Sequence, residues 1–465
     1  MVFSSGTFLF FFLPVLLFFY YNPIFKGRRY RNYVLFIGSV LFYAWGEPVF
    51  VFLLLFSVAV NWGIGLLIAA ADRKGKQRGK GWMITGVVWN LLLLVVFKYL
   101  HFLAANLGLL LHGDAGRYGV SVELPIGISF FTFQIMSYII DVYRKKVQVQ
   151  KNVFYVGMYI MMFPQLIAGP IVRYETVEDE ILNRKETPEE FTAGIARFVF
   201  GLGKKALLAN YLGQMADFVW TAQERSVLLA WIGAVAYTMQ IYYDFSGYSD
   251  MAIGLGRMFG FHYDENFNYP YIAKSVTEFW RRWHISLSVW FRDYVYIPLG
   301  GNRAGKGKTY WNLFLVWLLT GIWHGANWTF VLWGLGYFVL LVIEKSTGKT
   351  GEKGISHLYT MFFVTLLWVL FRSGSIAQAG SFIGTMFGIG AAGLVGEKAA
   401  VFLSYNLILL ITGVLGCFPM VPAIRKKLSV KAREWVTAGG MLVVFSLSVV
   451  ALVAGDYNPF IYFNF

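Results

Sequence analysis

The sequence predicts an all-α, polytopic membrane protein, and three observations carry that reading. Apolar residues make up 57% of the 465 residues and charged residues only 14%, against about 25% charged in soluble globular proteins. One soluble core cannot hide that much apolar surface. The apolar residues also gather into tracts, many of them near the ~20 residues that a helix needs to cross a ~30 Å hydrocarbon core. Between the tracts lie the short basic clusters that give the formal net charge of +15, and basic loops beside spans are the usual orientation signal.

From the N-terminus, the tracts run roughly 7–21, 33–45, 49–71, 82–104, 125–142, 153–171, 192–210, 227–243, 311–343, 357–372, 400–418 and 435–454. The first lacks a basic leader, and Lys26, Arg28, Arg29 and Arg31 follow it. It reads as an uncleaved first span with its N-terminus outside. Gly46-Glu47-Pro48 interrupts the second and third tracts and predicts a bent hairpin. Arg73 to Lys80, Arg144 to Lys151, Arg303 to Lys308 and Arg425 to Arg433 mark the cytoplasmic side; beyond residue 171 the parity of crossings stays open. The Gly- and Ala-rich segment 376–395 predicts a packed or interfacial helix. The loop Glu175 to Glu190, with seven carboxylates and two basic residues, reads as a solvated connection without chemistry. No polar stretch is long enough for a soluble domain, so residues 1–465 read as a single membrane-embedded domain.

Gly321-Ile-Trp-His-Gly-Ala-Asn-Trp-Thr-Phe330 places an ionisable imidazole, His324, inside one of the longest apolar tracts. Such a group at membrane depth is costly and normally faces a cavity and does a job. Imidazole is also the side chain best suited to exchange a proton near neutral pH. As one helix, Tyr310 to Glu344 would be about 50 Å long at ~1.5 Å per residue, too long for one span and short for two. The helix carrying His324 is therefore expected to be broken or re-entrant, with Gly321 and Gly325 permitting the break.

In Glu278 to Gly301, Phe279, Trp283, Leu287 and Trp290 fall on one helical face, with Arg281, Arg282, Arg292 and Asp293 elsewhere. This predicts an amphipathic interfacial helix carrying His284. Asp244 and Asp250, in Tyr242 to Gly254, suit either a proton relay or hydrogen bonds in a bend around Gly247, the structural role being favoured. Pro164, Gly169 and Pro170 imply an interrupted helix around Gln165, whose amide suits a substrate carbonyl or, more commonly, a bridge between helices.

Other chemistries lack their signatures. The scattered basic residues argue against nucleic-acid binding. Neither a Walker A motif, nor a Gly-x-Ser-x-Gly elbow, nor a His-Glu-x-x-His pair is present, and the six histidines show no metal spacing. Single Cys417 allows neither an intramolecular disulfide nor a cysteine metal site.

Several stretches together resemble the membrane-bound O-acyltransferases, and within them the membrane subunits of alginate O-acetyltransferases. They are Met1-Val-Phe-Ser-Ser with Thr7-Phe-Leu-Phe, Leu124-Pro-Ile-Gly-Ile-Ser-Phe-Phe-Thr-Phe-Gln, and Phe163-Pro-Gln-Leu-Ile-Ala-Gly-Pro. Tyr243-Asp-Phe-Ser-Gly-Tyr-Ser-Asp, Phe279-Trp-Arg-Arg-Trp-His-Ile-Ser, Gly321-Ile-Trp-His-Gly-Ala-Asn-Trp and the tail Asn458-Pro-Phe-Ile-Tyr-Phe complete the set, which runs almost end to end. The resemblance implies a ring of roughly 11–12 membrane helices around a central tunnel, with interfacial and re-entrant helices. It implies that His324 is the essential histidine and that His284 holds the second polar position.

The reaction so implied takes an acetyl group from cytoplasmic acetyl-coenzyme A, a substrate and not a bound cofactor. The group passes across a bacterial inner membrane toward a polysaccharide hydroxyl. A separate extracytoplasmic protein with a hydrolase-like domain is the expected partner, and membrane lipid surrounds the chain. In such a site a partly dry pocket keeps His324 neutral and able to act as base; a covalent acyl-histidine stays open. Trp323, Asn327 and Trp328 would shape the pocket, Asn327 donating to the developing oxyanion, and His284 would position the donor or hold a proton. Arg281, Arg282 and Arg303 would meet the phosphates of coenzyme A. D-alanyl transfer to teichoic acid and a transporter without covalent chemistry are the alternatives; no convincing internal repeat favours the second.

Overall fold

The computed structural model describes residues 1–73, 78–303, 305–348, 354–455 and 457–461. Residues 74–77 of the first basic cluster, Ala304 of the third, and Tyr462 and Phe463 of the tail motif lie outside the described residues. Every regular element among the described residues is a helix. Six helices among the described residues are long and apolar enough to cross a membrane, and the protein is a multi-pass membrane protein. The chain forms two compact units, one of residues 1–198 with 251–264, the other of 199–250 with 265–465.

In the first unit the first tract forms a short apolar helix, Phe8–Tyr20. At ~1.5 Å per residue it is shorter than a full crossing. Helix α1 is its regular part, Leu13–Tyr20, and α2 covers Arg28–Gly46. Helix α3 restarts at Phe50 and ends at Arg73, so the break at Glu47-Pro48 falls where the sequence places it. Lys80–His112 is the next span, followed by α4 (Ile128–Tyr143) and α5 (Val153–Met161). The proline-bearing turn Phe163–Leu166 follows a one-residue interruption, as Pro164 predicts. Gln165 Nε2 donates to the Tyr159 carbonyl at 2.6 Å and closes that gap, so the amide bridges helix ends.

The acidic loop departs from its expectation as a solvated connection. Its first part is a helix, α6 (Tyr174–Asn183). Beyond it, half-buried Glu186 accepts from Tyr20, Arg28 and Arg31. Burial alone would raise the Glu186 pKa. Hydrogen bonds from Arg28 and Tyr20, with the Arg28 and Arg184 charges, outweigh it and hold the carboxyl down at about 2.

In the second unit, residues 227–250 belong to an unbroken helix, α7 (Val227–Met258). The bend expected around Gly247 is absent. Gly247 instead permits close packing, because a Cβ there would lie 2.8 Å from the Gly201 carbonyl oxygen. Asp244 pairs with Lys205, and Asp250 with Lys204, each at 2.7 Å. Asp244 Oδ2 also accepts from the Ile461 amide at 2.8 Å, tying down the C-terminal segment. Both carboxylates are thus engaged structurally.

Two short helices follow, α8 (Val276–Arg282) and α9 (Ile285–Phe291). Next come α10 (Lys306–His324) and α11 (Trp328–Thr347). The Gly/Ala-rich segment contributes α12 (Ile376–Met386), packed through Ala379, Phe382 and Met386. The spans Ile355–Arg372, Glu397–Gly416 and Val430–Ala454 complete the unit.

Candidate active site

The long tract around His324 resolves into two antiparallel helices. Helix α10 ends on His324 itself, Gly325 leaves the helical conformation, and α11 restarts at Trp328. At ~1.5 Å per residue, 19 and 20 residues give two elements of nearly membrane length. Their backbones meet at two glycines. A Cβ on Gly334 would lie 2.4 Å from the Trp317 carbonyl oxygen, and one on Gly321 would lie 2.5 Å from that of Phe330. Small residues allow such approach between membrane helices. Asn327 caps the restart: its Oδ1 accepts from the Thr329 amide at 3.0 Å, while its Nδ2 donates to the Gly374 carbonyl at 2.9 Å. The side chain expected to aim at an oxyanion therefore holds the loop after His324.

His324 is 4% exposed and sits in a cage of rings. Trp333, Trp323 and Phe371 approach its centroid at 4.8, 4.9 and 5.3 Å, all edge-on. Edge-on ring pairs are worth about 0.5–1.5 kcal/mol each beyond the area they bury. Phe371 is anchored through the next residue: Arg372 lies over Trp220 and Tyr237 and pairs with Asp217.

The helix expected to carry His284 is broken at that residue. Phe279, Trp283, Leu287 and Trp290 are all buried, so the apolar face exists, but it is shared by α8 and α9. The start of α8 is fixed by Ser275 Oγ, which accepts from the Glu278 amide, and by buried Glu344 of α11. Glu344 accepts from the Val276 amide at 2.5 Å and the Thr277 amide at 2.9 Å. A carboxylate suits the positive end of a helix. His284 then takes left-handed backbone angles, φ 43° and ψ 55°, before α9 begins. A non-glycine residue held there costs on the order of 1–3 kcal/mol.

A polar set holds that conformation. Asn266 O accepts from the Ile285 amide at 3.0 Å. Asn266 Oδ1 accepts from the Ser286 amide at 3.3 Å and from Ser286 Oγ at 2.9 Å, and lies 3.1 Å from His284 Nδ1. Asn266 Nδ2 donates to Ser249 Oγ of α7 at 3.1 Å. His284 is 0% exposed, so the expectation of an interfacial, wetter histidine is corrected; burial disfavours its charged form. Its ring meets Phe245 at 4.7 Å and Trp323 at 6.0 Å.

Trp323 is thus in ring contact with both histidines, which the fold brings together from separate helix breaks. Trp328 is 50% exposed at the first position of α11, outside the three rings described around His324. Arg281 is exposed, whereas Arg282 pairs with Glu278 at 2.9 Å and donates to the Asn268 carbonyl at 3.0 Å. Arg303 is also exposed. Gln165 belongs to the other unit. Sequence reasoning did not single out Asn266, Trp333 or Phe371. Ser249 and Ser286 lay unremarked inside quoted motifs, beside more conspicuous residues.

Residues 42–363 match the family model described as MBOAT, membrane-bound O-acyltransferase family. A probable alginate O-acetylase of Pseudomonas putida is 40% identical, the match covering all of both chains. One from Pseudomonas syringae pv. tomato is 46% identical over 84% of this chain and 76% of its own. A peptidoglycan O-acetyltransferase of Helicobacter pylori is 30% identical over 100% of this chain and 98% of its own.

Proposed function

The chain belongs to the membrane-bound O-acyltransferase family, and from that premise we propose that it moves acetyl groups from acetyl-coenzyme A toward the hydroxyls of an extracytoplasmic polysaccharide. It does so across the bacterial inner membrane, with residues 1–465 acting as one acyltransferase domain. The relatives named for alginate and peptidoglycan O-acetylation support the acetyl group and the class of acceptor. The observation that carries the mechanism is the placement of His324: an imidazole ending a helix, enclosed by Trp323, Trp333 and Phe371 and sharing Trp323 with His284.

In this reading His324 takes the proton of the acceptor hydroxyl. The acceptor oxygen forms a bond to the thioester carbonyl carbon, the carbon–sulfur bond breaks, and the proton passes to the departing thiolate of coenzyme A. The surrounding rings exclude water, which would otherwise hydrolyse the thioester. Exposed Arg281, three residues before His284, meets a phosphate of the donor, while Arg282 keeps the end of α8 in place. Gln165 keeps its own helix ends together. The immediate acceptor is a hydroxyl of a hydrolase-like extracytoplasmic partner that passes the acetyl group to the polymer.

The test is transfer in proteoliposomes loaded with radiolabelled acetyl-coenzyme A, together with ester analysis of surface polymers from cells with and without the gene. Acetyl esters that require the intact protein are the expected result. Transfer only from a D-alanyl carrier thioester, or polymer export with no new ester, would replace this reading with one of its alternatives.

A further inference from the structure

We infer that Asn266 is a positioning residue that locks His284 into the tautomer with its proton on Nδ1, leaving Nε2 as the nitrogen able to accept a proton or hydrogen bond. The inference rests on the acyl-transfer reading for its consequence in turnover, but not for its chemistry.

The orientation of the Asn266 amide is fixed by its other partners. The backbone N–H of Ser286 can only donate, and it points at one terminal atom of the Asn266 side chain at 3.3 Å. That atom must therefore be the carbonyl oxygen, because an amide NH2 has nothing to accept with. Its other end, the NH2, donates to Ser249 Oγ at 3.1 Å. The same Oδ1 stands 3.1 Å from His284 Nδ1. The Ser286 hydroxyl also lies 3.5 Å from Nδ1, but its proton goes to the same Asn266 oxygen at the shorter 2.9 Å; facing an atom that only accepts, Nδ1 therefore carries a hydrogen. The ring is fully buried, which favours its neutral form. A neutral imidazole with Nδ1–H has its lone pair on Nε2.

The same side chain fixes the ring's direction. Asn266 sets the left-handed turn at His284 through its own carbonyl, which takes the Ile285 amide at 3.0 Å, and through Oδ1, which takes both Ser286 donors. It also ties that turn to α7 through Ser249. One residue therefore sets which nitrogen is basic, where the ring points, and which helix it is referenced to.

The test is solid-state 15N NMR of the full-length protein, labelled at histidine, in lipid bilayers. The His284 signals are assigned by their loss in His284→Asn. The expected signature is protonated Nδ1 and unprotonated Nε2 in the wild type. Asn266→Leu should scatter the tautomer and lower transfer by about 10- to 100-fold, as loss of a partner that orients a functional histidine does, with little change in donor KM. Asn266→Asp keeps an acceptor oxygen and should restore the Nδ1–H signature and part of the rate. If Asn266→Leu does not fold, the wild-type spectrum alone decides. Wild-type His284 protonated on Nε2, or an unchanged signature in Asn266→Leu, overturns the inference while leaving acyl transfer intact. The predicted signature in a protein that transfers no acyl group upholds the lock and overturns the functional reading instead.

Discussion

The two site histidines end their helices in different ways. At His324 the departure from the helix is left to the next residue, Gly325, and the restart is capped by Asn327. The imidazole stands among rings. At His284 the histidine itself carries the left-handed turn, and a polar side chain from another segment holds it. The difference separates chemistry from architecture. A substitution at 324 alters the ring and little of the backbone, whereas one at 284 alters the ring and the turn together.

The largest effect expected from that contrast is at His324. His324→Ala and His324→Asn should lower acetyl transfer by at least about 10²-fold, in the range for losing a general base, up to ~10⁴. The protein should still accumulate in the membrane with a thermal midpoint near that of the wild type. Normal polymer acetylation in a well-expressed His324→Ala strain would remove His324 from the mechanism. A variant that fails to accumulate would show that the rings around 324 need the imidazole for packing, and would erase the contrast with 284.

His284 should answer to backbone as well as chemistry. Asn tolerates left-handed angles and can hydrogen-bond, whereas Leu does neither well. His284→Asn should keep partial transfer, above the level of either His324 variant. His284→Leu should lose most of it and also melt lower, by the ~1–3 kcal/mol of a strained turn. His284→Gly should relieve the strain of the turn but leave a cavity where the buried ring stood, so neither the melting temperature nor the rate should return to the wild-type value. A dead His284→Asn at normal stability would mean that both histidines exchange protons, and the single-base mechanism would fall.

The same contrast marks what could be read from the sequence. The break at His324 was legible because it follows from length: Tyr310 to Glu344 cannot be one crossing, and the glycines say where it parts. The apolar face of Phe279, Trp283, Leu287 and Trp290 was legible as a period, and all four residues are buried. The break within that period was not, because a left-handed histidine leaves no mark in hydrophobic spacing. Asn266, which stabilises that turn, lies 18 residues upstream in an irregular stretch. The pairing of Glu186 was hidden for a similar reason, since its partner Arg28 is 158 residues away. Local patterns announce helices and their ends; polar partners that come from distant segments do not.

The helix crossing beneath His324 offers a smaller effect. Gly334→Ala would push a methyl group to 2.4 Å from the Trp317 carbonyl oxygen, part of a backbone that cannot yield alone. Gly325→Ala would meet the Phe330 ring at 2.2 Å, which a side-chain rotation can relieve. Gly334→Ala should therefore destabilise more, by about 1–3 kcal/mol as overpacking does, and should lower transfer by displacing α10 and its terminal histidine. Thermal melts of both variants in one detergent, read beside transfer rates, check the order. A reversal would place the rigid contact at the break instead of at the crossing.

The smallest effect sharpens the comparison at Asn327. Its Oδ1 caps α11 and its Nδ2 holds Gly374, so one side chain does for the His324 break part of what Asn266 does for the His284 turn. Asn327→Ala should cost about 1 kcal/mol of stability, the usual worth of a cap. Asn327→Ser keeps a capping oxygen and should recover most of that loss. Because the cap acts on architecture, both variants should transfer acetyl groups within a few-fold of wild type at temperatures where they stay folded. An oxyanion donor would behave otherwise: removing one costs about 10²–10³ in kcat, and the short serine hydroxyl would not restore the amide's reach. A drop of that size in a stable Asn327→Ser variant would give Asn327 a share in the chemistry, and the break at His324 would then join architecture and catalysis in one residue, as the turn at His284 does.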